Sequence, residues 1–493
     1  MSDIRRLYQE SGSYLIGMAG TTLLGFVSFP LFTRILPVDE YGLLNLVLRT
    51  LAMAVVVSKL GLQHSVVRFF EEHWTSPDPN ALSRYYSVVC FGSTGLAIAF
   101  TTVLAATVWA APGGWISETV RRPLLAASAL VFTGTLISQL MGFLRVTGRV
   151  RAFALFQVAT KAATIVVVTI LFFQWERTAR AFVVGTVLVE AGGVLFLTVP
   201  LLRGGYLRIG SFDAGLFRGM LAFGVPLFVF ELSSVLHESL GRFLIQAYLG
   251  SLQLGYYSAA HNVASYCQEL LLTPLNLALV PMFVRIWTTQ GRTATQAFLS
   301  RVLNDVLLGA FVVTAGVVVC ARDAMLILAS RKYEQSAALV PVLVAGLMLN
   351  VVVSMFYAGI YLEKRTWTMA RLVISASLVN VALNLLLLPR LGISGAVYAT
   401  LGSYSVLLLM TAGACHRALP LDIPWTACGG YLIAAAAGAA AAWPIRFQYP
   451  ALNLTVRGAV VVVVYGAVVW LINPRARALF KAFGKQALAV LSR

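Results

Sequence analysis

Ten ionisable side chains stand inside long apolar runs, where charge is costly. They are Arg49 and Lys59, then Lys161, Glu190, Glu231, His237, Glu238 and Arg242, and finally His261 and Glu269. A charged side chain in the middle of a bilayer costs about 2.5–3.5 kcal/mol on insertion scales, so such residues face a wet cavity or a partner. Four of the ten are lysine or arginine. Cations in a membrane cavity attract anions, and the forked guanidinium suits phosphate. An anionic phosphate or pyrophosphate headgroup is the simplest ligand for Arg49, Lys59, Lys161 and Arg242. Arg34, at the end of the first apolar run, could add to them from the outer mouth or simply flank its helix.

The carboxylates allow a second chemistry. Glu231, His237 and Glu238 could hold a coupling proton or cation, or could only balance Arg242. Glu190, His261, Asn262 and Glu269 are further polar candidates for ion coupling or cavity lining. At 100° per residue, Glu238 and Arg242 lie about 20° to either side of Glu231, so all three share one helix face. Glu238 and Arg242 are also an i,i+4 pair in the favourable order. His261, Ser265 and Gln268 fall within about 60° of one another on the next run, with Asn262 and Glu269 flanking them. Adjacent helices with polar stripes point to a water-filled cavity.

The elements that carry these residues are membrane spans. The chain is 59% hydrophobic and 11% charged, with a mean hydropathy of +0.83. Soluble domains average about 45–50% apolar and about 25% charged residues. Segmenting at charged and Pro/Gly clusters predicts about fourteen spans of roughly 20 residues. The first is retained, being longer than a secretory leader. The net charge of +18 comes from short basic runs between spans, which is topological rather than a sign of nucleic acid. With the N-terminus inside, about 22 of the 37 Lys and Arg residues fall in cytoplasmic segments and about 11 outside. Both termini are therefore expected in the cytoplasm, with the basic tail of Arg475, Arg477, Lys481 and Lys485 near anionic lipid. No loop is long enough for a soluble catalytic domain. Neither catalytic nor metal-binding motifs stand out, and the five cysteines form no CxxC. Neither enzyme nor cofactor is expected.

Two junctions share a pattern. Leu36-Pro37-Val38-Asp39-Glu40-Tyr41-Gly42 and Leu249-Gly250-Ser251-Leu252-Gln253-Leu254-Gly255 each leave an apolar helix, turn, and restart at a glycine, 213 residues apart. Such spacing suggests parallel repeats about an axis along the membrane normal. The expected fold is all-α and integral to the membrane. Two six-helix lobes stand in pseudo-two-fold arrangement: residues 1–217 (spans one to six) and 218–415 (spans seven to twelve). Two more spans and the basic tail occupy 416–493.

Three stretches carry a family resemblance: Leu31-Phe32-Thr33-Arg34-Ile35-Leu36-Pro37 through Tyr41-Gly42, Arg242-Phe243-Leu244-Ile245 through Ala260, and Asn380-Val381-Ala382-Leu383-Asn384 through Pro389-Arg390-Leu391-Gly392-Ile393-Ser394-Gly395-Ala396. The chain resembles polysaccharide (O-antigen) flippases of the Wzx type, in the superfamily that also holds the MATE exporters and MurJ. The resemblance implies alternating access in the cell (inner) membrane. It implies an oligosaccharide on an undecaprenyl pyrophosphate carrier as cargo, with a polysaccharide polymerase and glycosyltransferases as partners. It also implies that Arg34, Arg49 and Arg242 line the cavity. Relatives often carry an acid just before the arginine of span seven. Gly241 stands there instead, and Glu238 is the nearest acid. Two rivals remain: a MATE-like cation-coupled antiporter of small compounds, and a membrane glycosyltransferase, which the short loops disfavour.

Overall fold

A computed structural model describes residues 2–112, 117–363, 365–473 and 477. The tail lysines Lys481 and Lys485, and Arg475, lie outside them. The helices are α1 (Ser2–Ile35), α2 (Val38–Lys59), α3 (Leu62–Trp74), α4 (Ala81–Ala110), α5 (Glu118–Val146), α6 (Val150–Gln174), α7 (Ala179–Arg203), α8 (Ala214–Leu328), α9 (Val340–Leu362), α10 (Thr366–Leu391), α11 (Ile393–Ala418), α12 (Trp425–Ala442) and α13 (Pro450–Ile472).

Thirteen helical segments among the described residues are long and apolar enough to cross a membrane, and one of them, Ala214–Thr273, is 60 residues long. A crossing needs about 20 residues, so that segment is too long for one. Gly250, with φ of +79°, breaks it in two, because only glycine takes up a left-handed backbone without penalty. Counted this way, fourteen segments among the described residues are long and apolar enough to cross, against about fourteen expected from the sequence. Gly291, also at φ +79°, divides α8 once more, leaving residues 292–328 as a separate span. Another backbone break, Leu60 (φ 46°) and Gly61 (φ 80°), separates α2 from α3. The outer face of α3 is polar, with Arg68 paired to Glu72 at 2.6 Å.

By contacts the chain forms two compact units, Met1–Gly255 and Tyr256–Arg493. The first takes in α1–α7 together with the seventh span (residues 214–249) and the start of the eighth (from residue 251). Within it α1 packs on α6, and α5 on both α4 and α7. Its core cluster joins Leu62, Val66 and Phe70 of α3 to Tyr85, Tyr86 and Val89 of α4 and Phe143 of α5. In the second unit α11 packs on α9 and α10. The alanine-rich α12 lies against α13 and residues 292–328. Ala434, Tyr431, Tyr465 and Val469 are buried among Leu307, Leu308 and Phe311. Gly438 allows the α13 backbone at Val461 to come close, since a Cβ would stand 3.0 Å from its carbonyl oxygen. Small residues at a helix contact serve such close packing. A buried pair, Arg457–Asp323 at 3.2 Å, ties α13 to 292–328. Asn453 adds a hydrogen bond to the same carboxylate.

Candidate functional site: a charged ladder between two glycine crossings

In the first unit the polar faces of α2 and the seventh span meet. Arg49 reaches Glu238 at 3.3 Å. Lys59 stands 3.5 Å from Glu231, and His64 stands 3.4 Å from the same carboxylate. Gln63 donates to Glu231 as well. Arg242 is almost wholly buried, at 1% exposure, and donates through Nη1 to the main-chain carbonyl of Glu238 at 2.6 Å. The carboxylate of Glu238 meanwhile receives Arg49 from the other helix. The i,i+4 spacing of Glu238 and Arg242 thus places them together, but the guanidinium reads the backbone. Glu238 is 47% exposed and Arg49 28%. A half-exposed carboxylate in the middle of an apolar helix implies water beside it.

Two backbone crossings lie at the ends of this ladder. At one, Gly42 of α2 meets the start of the eighth span, and a Cβ on Gly42 would stand 2.6 Å from the amide nitrogen of Gly255 and closer still to the Ser251 carbonyl. A Cβ on Gly255 would press on Val38, 2.9 Å from its carbonyl carbon. Gly42 and Gly255 are the equivalent positions of the two similar junctions. At the other end Gly61 meets Gly224. A Cβ on Gly224 would lie 2.8 Å from the Gly61 carbonyl group. Nearby, Ser65 donates to the Met220 carbonyl at 2.5 Å.

The remaining candidates lie elsewhere. Arg34 is exposed at the end of α1. Lys161 is exposed on α6. It stands roughly 120–180° around that helix from the exposed apolar stripe Leu155, Val166, Ile170 and Phe173, so it does not share that stripe. Glu190 accepts from Thr133. His237 is buried. In the second unit, His261 is buried and shares a hydrogen bond with Ser265 at 3.1 Å, Asn262 is half-buried, and Glu269 is exposed. Sequence reasoning missed Gln63 and His64 as partners of Glu231. Their signal was the polar pair directly after the Leu60–Gly61 break. It also missed the Asp323–Arg457 pair, whose members sit near span ends and read as flanking charges.

Fold and site define a helical membrane protein with charges of both signs held among its spans. The family model described as "Polysaccharide biosynthesis protein" matches residues 7–287, more than half of the chain. The chain belongs to that family. An Lsg locus protein of Haemophilus influenzae is 24% identical over 291 residues, 56% of this chain. The chain spans 66% of the length of that relative. Among solved structures, the lipid II flippase MurJ in an inward closed conformation superposes with a TM-score of 0.77 at 13% identity, over 95% of this chain and 99% of that one. An inward-facing multidrug resistance MATE family transporter of the MOP superfamily gives 0.64 at 14% identity, over 82% and 98%. At such identities the likeness is one of fold. It bears out the expected all-α membrane architecture.

Proposed function

We propose that this chain is an alternating-access flippase. It moves a polyprenyl-pyrophosphate-linked oligosaccharide from the cytoplasmic to the external leaflet of the cell membrane, for surface polysaccharide synthesis. The observation that carries the reading is the ladder of Arg49, Lys59 and Arg242 against Glu231 and Glu238 within apolar helices. Membership of a polysaccharide biosynthesis family supports the substrate class.

The chemistry follows from exchange of partners. With no substrate, Glu231 and Glu238 neutralise Lys59 and Arg49. A pyrophosphate brings more charge and a bidentate geometry, so it displaces Glu238 from Arg49. The released carboxylate is then free to take up a proton or cation. Arg242 is anchored on the Glu238 carbonyl of its own helix, which holds its charge beside the ladder. Arg34, Lys161, Glu190, His237, His261, Asn262 and Glu269 are further polar candidates in this reading. The lobes 1–217 and 218–415 move against each other, the helices after residue 416 accompany the second, and both termini stay in the cytoplasm. No bond is made or broken. Partners in this reading are the lipid carrier, a polymerase and glycosyltransferases.

The test is complementation. Arg49→Ala or Arg242→Ala should abolish surface polysaccharide without lowering protein level, while Arg49→Lys keeps part of it. Normal export by both alanine variants refutes the assignment. A cation-coupled antiporter of small compounds is the second reading, and the exposed Glu238 carboxylate favours it. Loss of drug tolerance with intact polysaccharide on deletion would select it.

A further inference from the structure

A cavity of about 1090 Å³ opens where α12 begins, α13 ends and the span 292–328 starts. Its polar wall is made by Ser300, Arg301, Asn304, Asp422, Tyr431 and Asn473. The floor is fixed. The Tyr431 hydroxyl donates to Asn304 Oδ1 at 3.0 Å and accepts from Asn473 Nδ2 at 3.0 Å. The linker residue Asp422 is pinned by its main-chain N–H, which donates to Ser300 Oγ at 2.9 Å. Its carboxylate stays exposed. Arg301 is exposed too, bonded through Nε to the Ala297 carbonyl. Among the described residues no ion pair joins Arg301 to Asp422. The wall thus presents one positive and one negative group that do not pair with each other, while Asp305, one turn on from Arg301, lies within electrostatic reach of the guanidinium.

Depth is marked by tryptophan. Trp425, at the first turn of α12, is 74% exposed, and Trp470, in the last turn of α13, is 45% exposed. Arg477 lies over the Trp470 ring at 5.6 Å and donates to the carbonyls of Trp470 and Leu471. Exposed tryptophans at helix ends sit at the headgroup level of a bilayer. The cavity is therefore at the depth of phospholipid headgroups and has room for one.

We propose that this cavity binds a phospholipid with a phosphoethanolamine headgroup: Arg301 takes the phosphate, and Asp422 takes the primary ammonium. The two opposite charges call for a zwitterion. A headgroup with only negative charge would set a phosphate against Asp422, a repulsive contact. A choline headgroup has no N–H to donate to a carboxylate, and its binding sites are aromatic cages, whereas this wall has a single ring, that of Tyr431. The proposal does not depend on the flippase reading.

The test uses the purified full chain in detergent. Thermal unfolding and native mass spectrometry are read with added palmitoyl-oleoyl phosphatidylethanolamine, phosphatidylcholine or phosphatidylglycerol, and with soluble glycerophosphoethanolamine. Phosphatidylethanolamine should raise the melting temperature most and be retained most, and the soluble headgroup should do nothing. Asp422→Asn should weaken retention of phosphatidylethanolamine about tenfold, the worth of one charge-assisted hydrogen bond, and strengthen that of phosphatidylglycerol, whose negative charge the carboxylate repels. Arg301→Gln should weaken both. The lipid-free melting temperature of each variant shows that it is folded. Equal effects of the three lipids overturn the proposal, as does an intact phosphatidylethanolamine preference in Asp422→Asn. Binding of the soluble headgroup as strongly as the lipid overturns it too.

Discussion

Replacing Gly255 by alanine tests the closed crossing, because two opposing effects there have known size. In an ordinary helix interior, Gly→Ala stabilises by about 0.5–1 kcal/mol through lost unfolded-state entropy. Gly255 is helical, with no positive φ, so that gain applies. Against it stands the new Cβ, 2.8 Å from Val38 Cγ1, 2.9 Å from the Val38 carbonyl carbon, and nearer still to its oxygen. Real Cβ atoms essentially never approach within 3.0 Å. The main-chain group cannot rotate away as a side chain would, so the two helices must part. Overpacking of this kind costs about 1–3 kcal/mol. The net is a loss of up to about 2.5 kcal/mol. At 2–4 °C per kcal/mol for a unit of this size, the melting temperature falls by up to about 10 °C. Gly316 is the control, since a Cβ there meets nothing within 4 Å. Gly316→Ala should melt at or slightly above the parent. The assay is thermal unfolding of both variants in one detergent. If Gly255→Ala melts no lower than the parent, the crossing is not tight and the reasoning fails. If Val38→Ala restores Gly255→Ala fully, the side chain and not the backbone was the obstacle.

Other outcomes follow from the same contacts. Arg457→Met strands the buried Asp323 carboxylate; it should cost about 3–5 kcal/mol, with Asp323→Asn in the same chain recovering part, read as melting temperatures. A double-mutant cycle on Lys59 and Glu231 should give coupling of only about 0.5–1 kcal/mol, because Glu231 is 29% exposed and solvent screens the pair. Asp213, just before the seventh span, accepts from the N–H groups of Leu216 and Gly215, first the former, and this holds its carboxyl below the usual value. Its capping is whole above the ordinary carboxylate range and is lost only as pH falls through the lowered value. Amide exchange at 215–217, corrected for its intrinsic pH dependence, should therefore not change between pH 7 and 5, and a rise in that window would refute it.

Much of this protein is legible in its sequence because lipid is a demanding solvent. Only helices satisfy their own backbone hydrogen bonds there, so apolar runs of about 20 residues set the number and type of elements. The ten interior charges were visible for the same reason, and so was the shared face of Glu231, Glu238 and Arg242. The repeated junction at Gly42 and Gly255 was legible as a pattern. That the two glycines touch was not, because closeness of residues 213 positions apart is a property of packing. Pairing was likewise decided in three dimensions. Helical spacing favours Glu238 with Arg242, yet Arg49, 189 residues away, takes the carboxylate, because an exposed carboxylate pairs with whatever cation the neighbouring helix presents. Glu231 gathers Lys59, Gln63 and His64 only because the chain turns left-handed at Leu60 and Gly61 and brings the start of α3 alongside the end of α2. Local chemistry determined which residues would be costly in the membrane. The tertiary structure decided which partners offset that cost, since Coulomb and hydrogen-bond energies depend on distance through space and not along the chain.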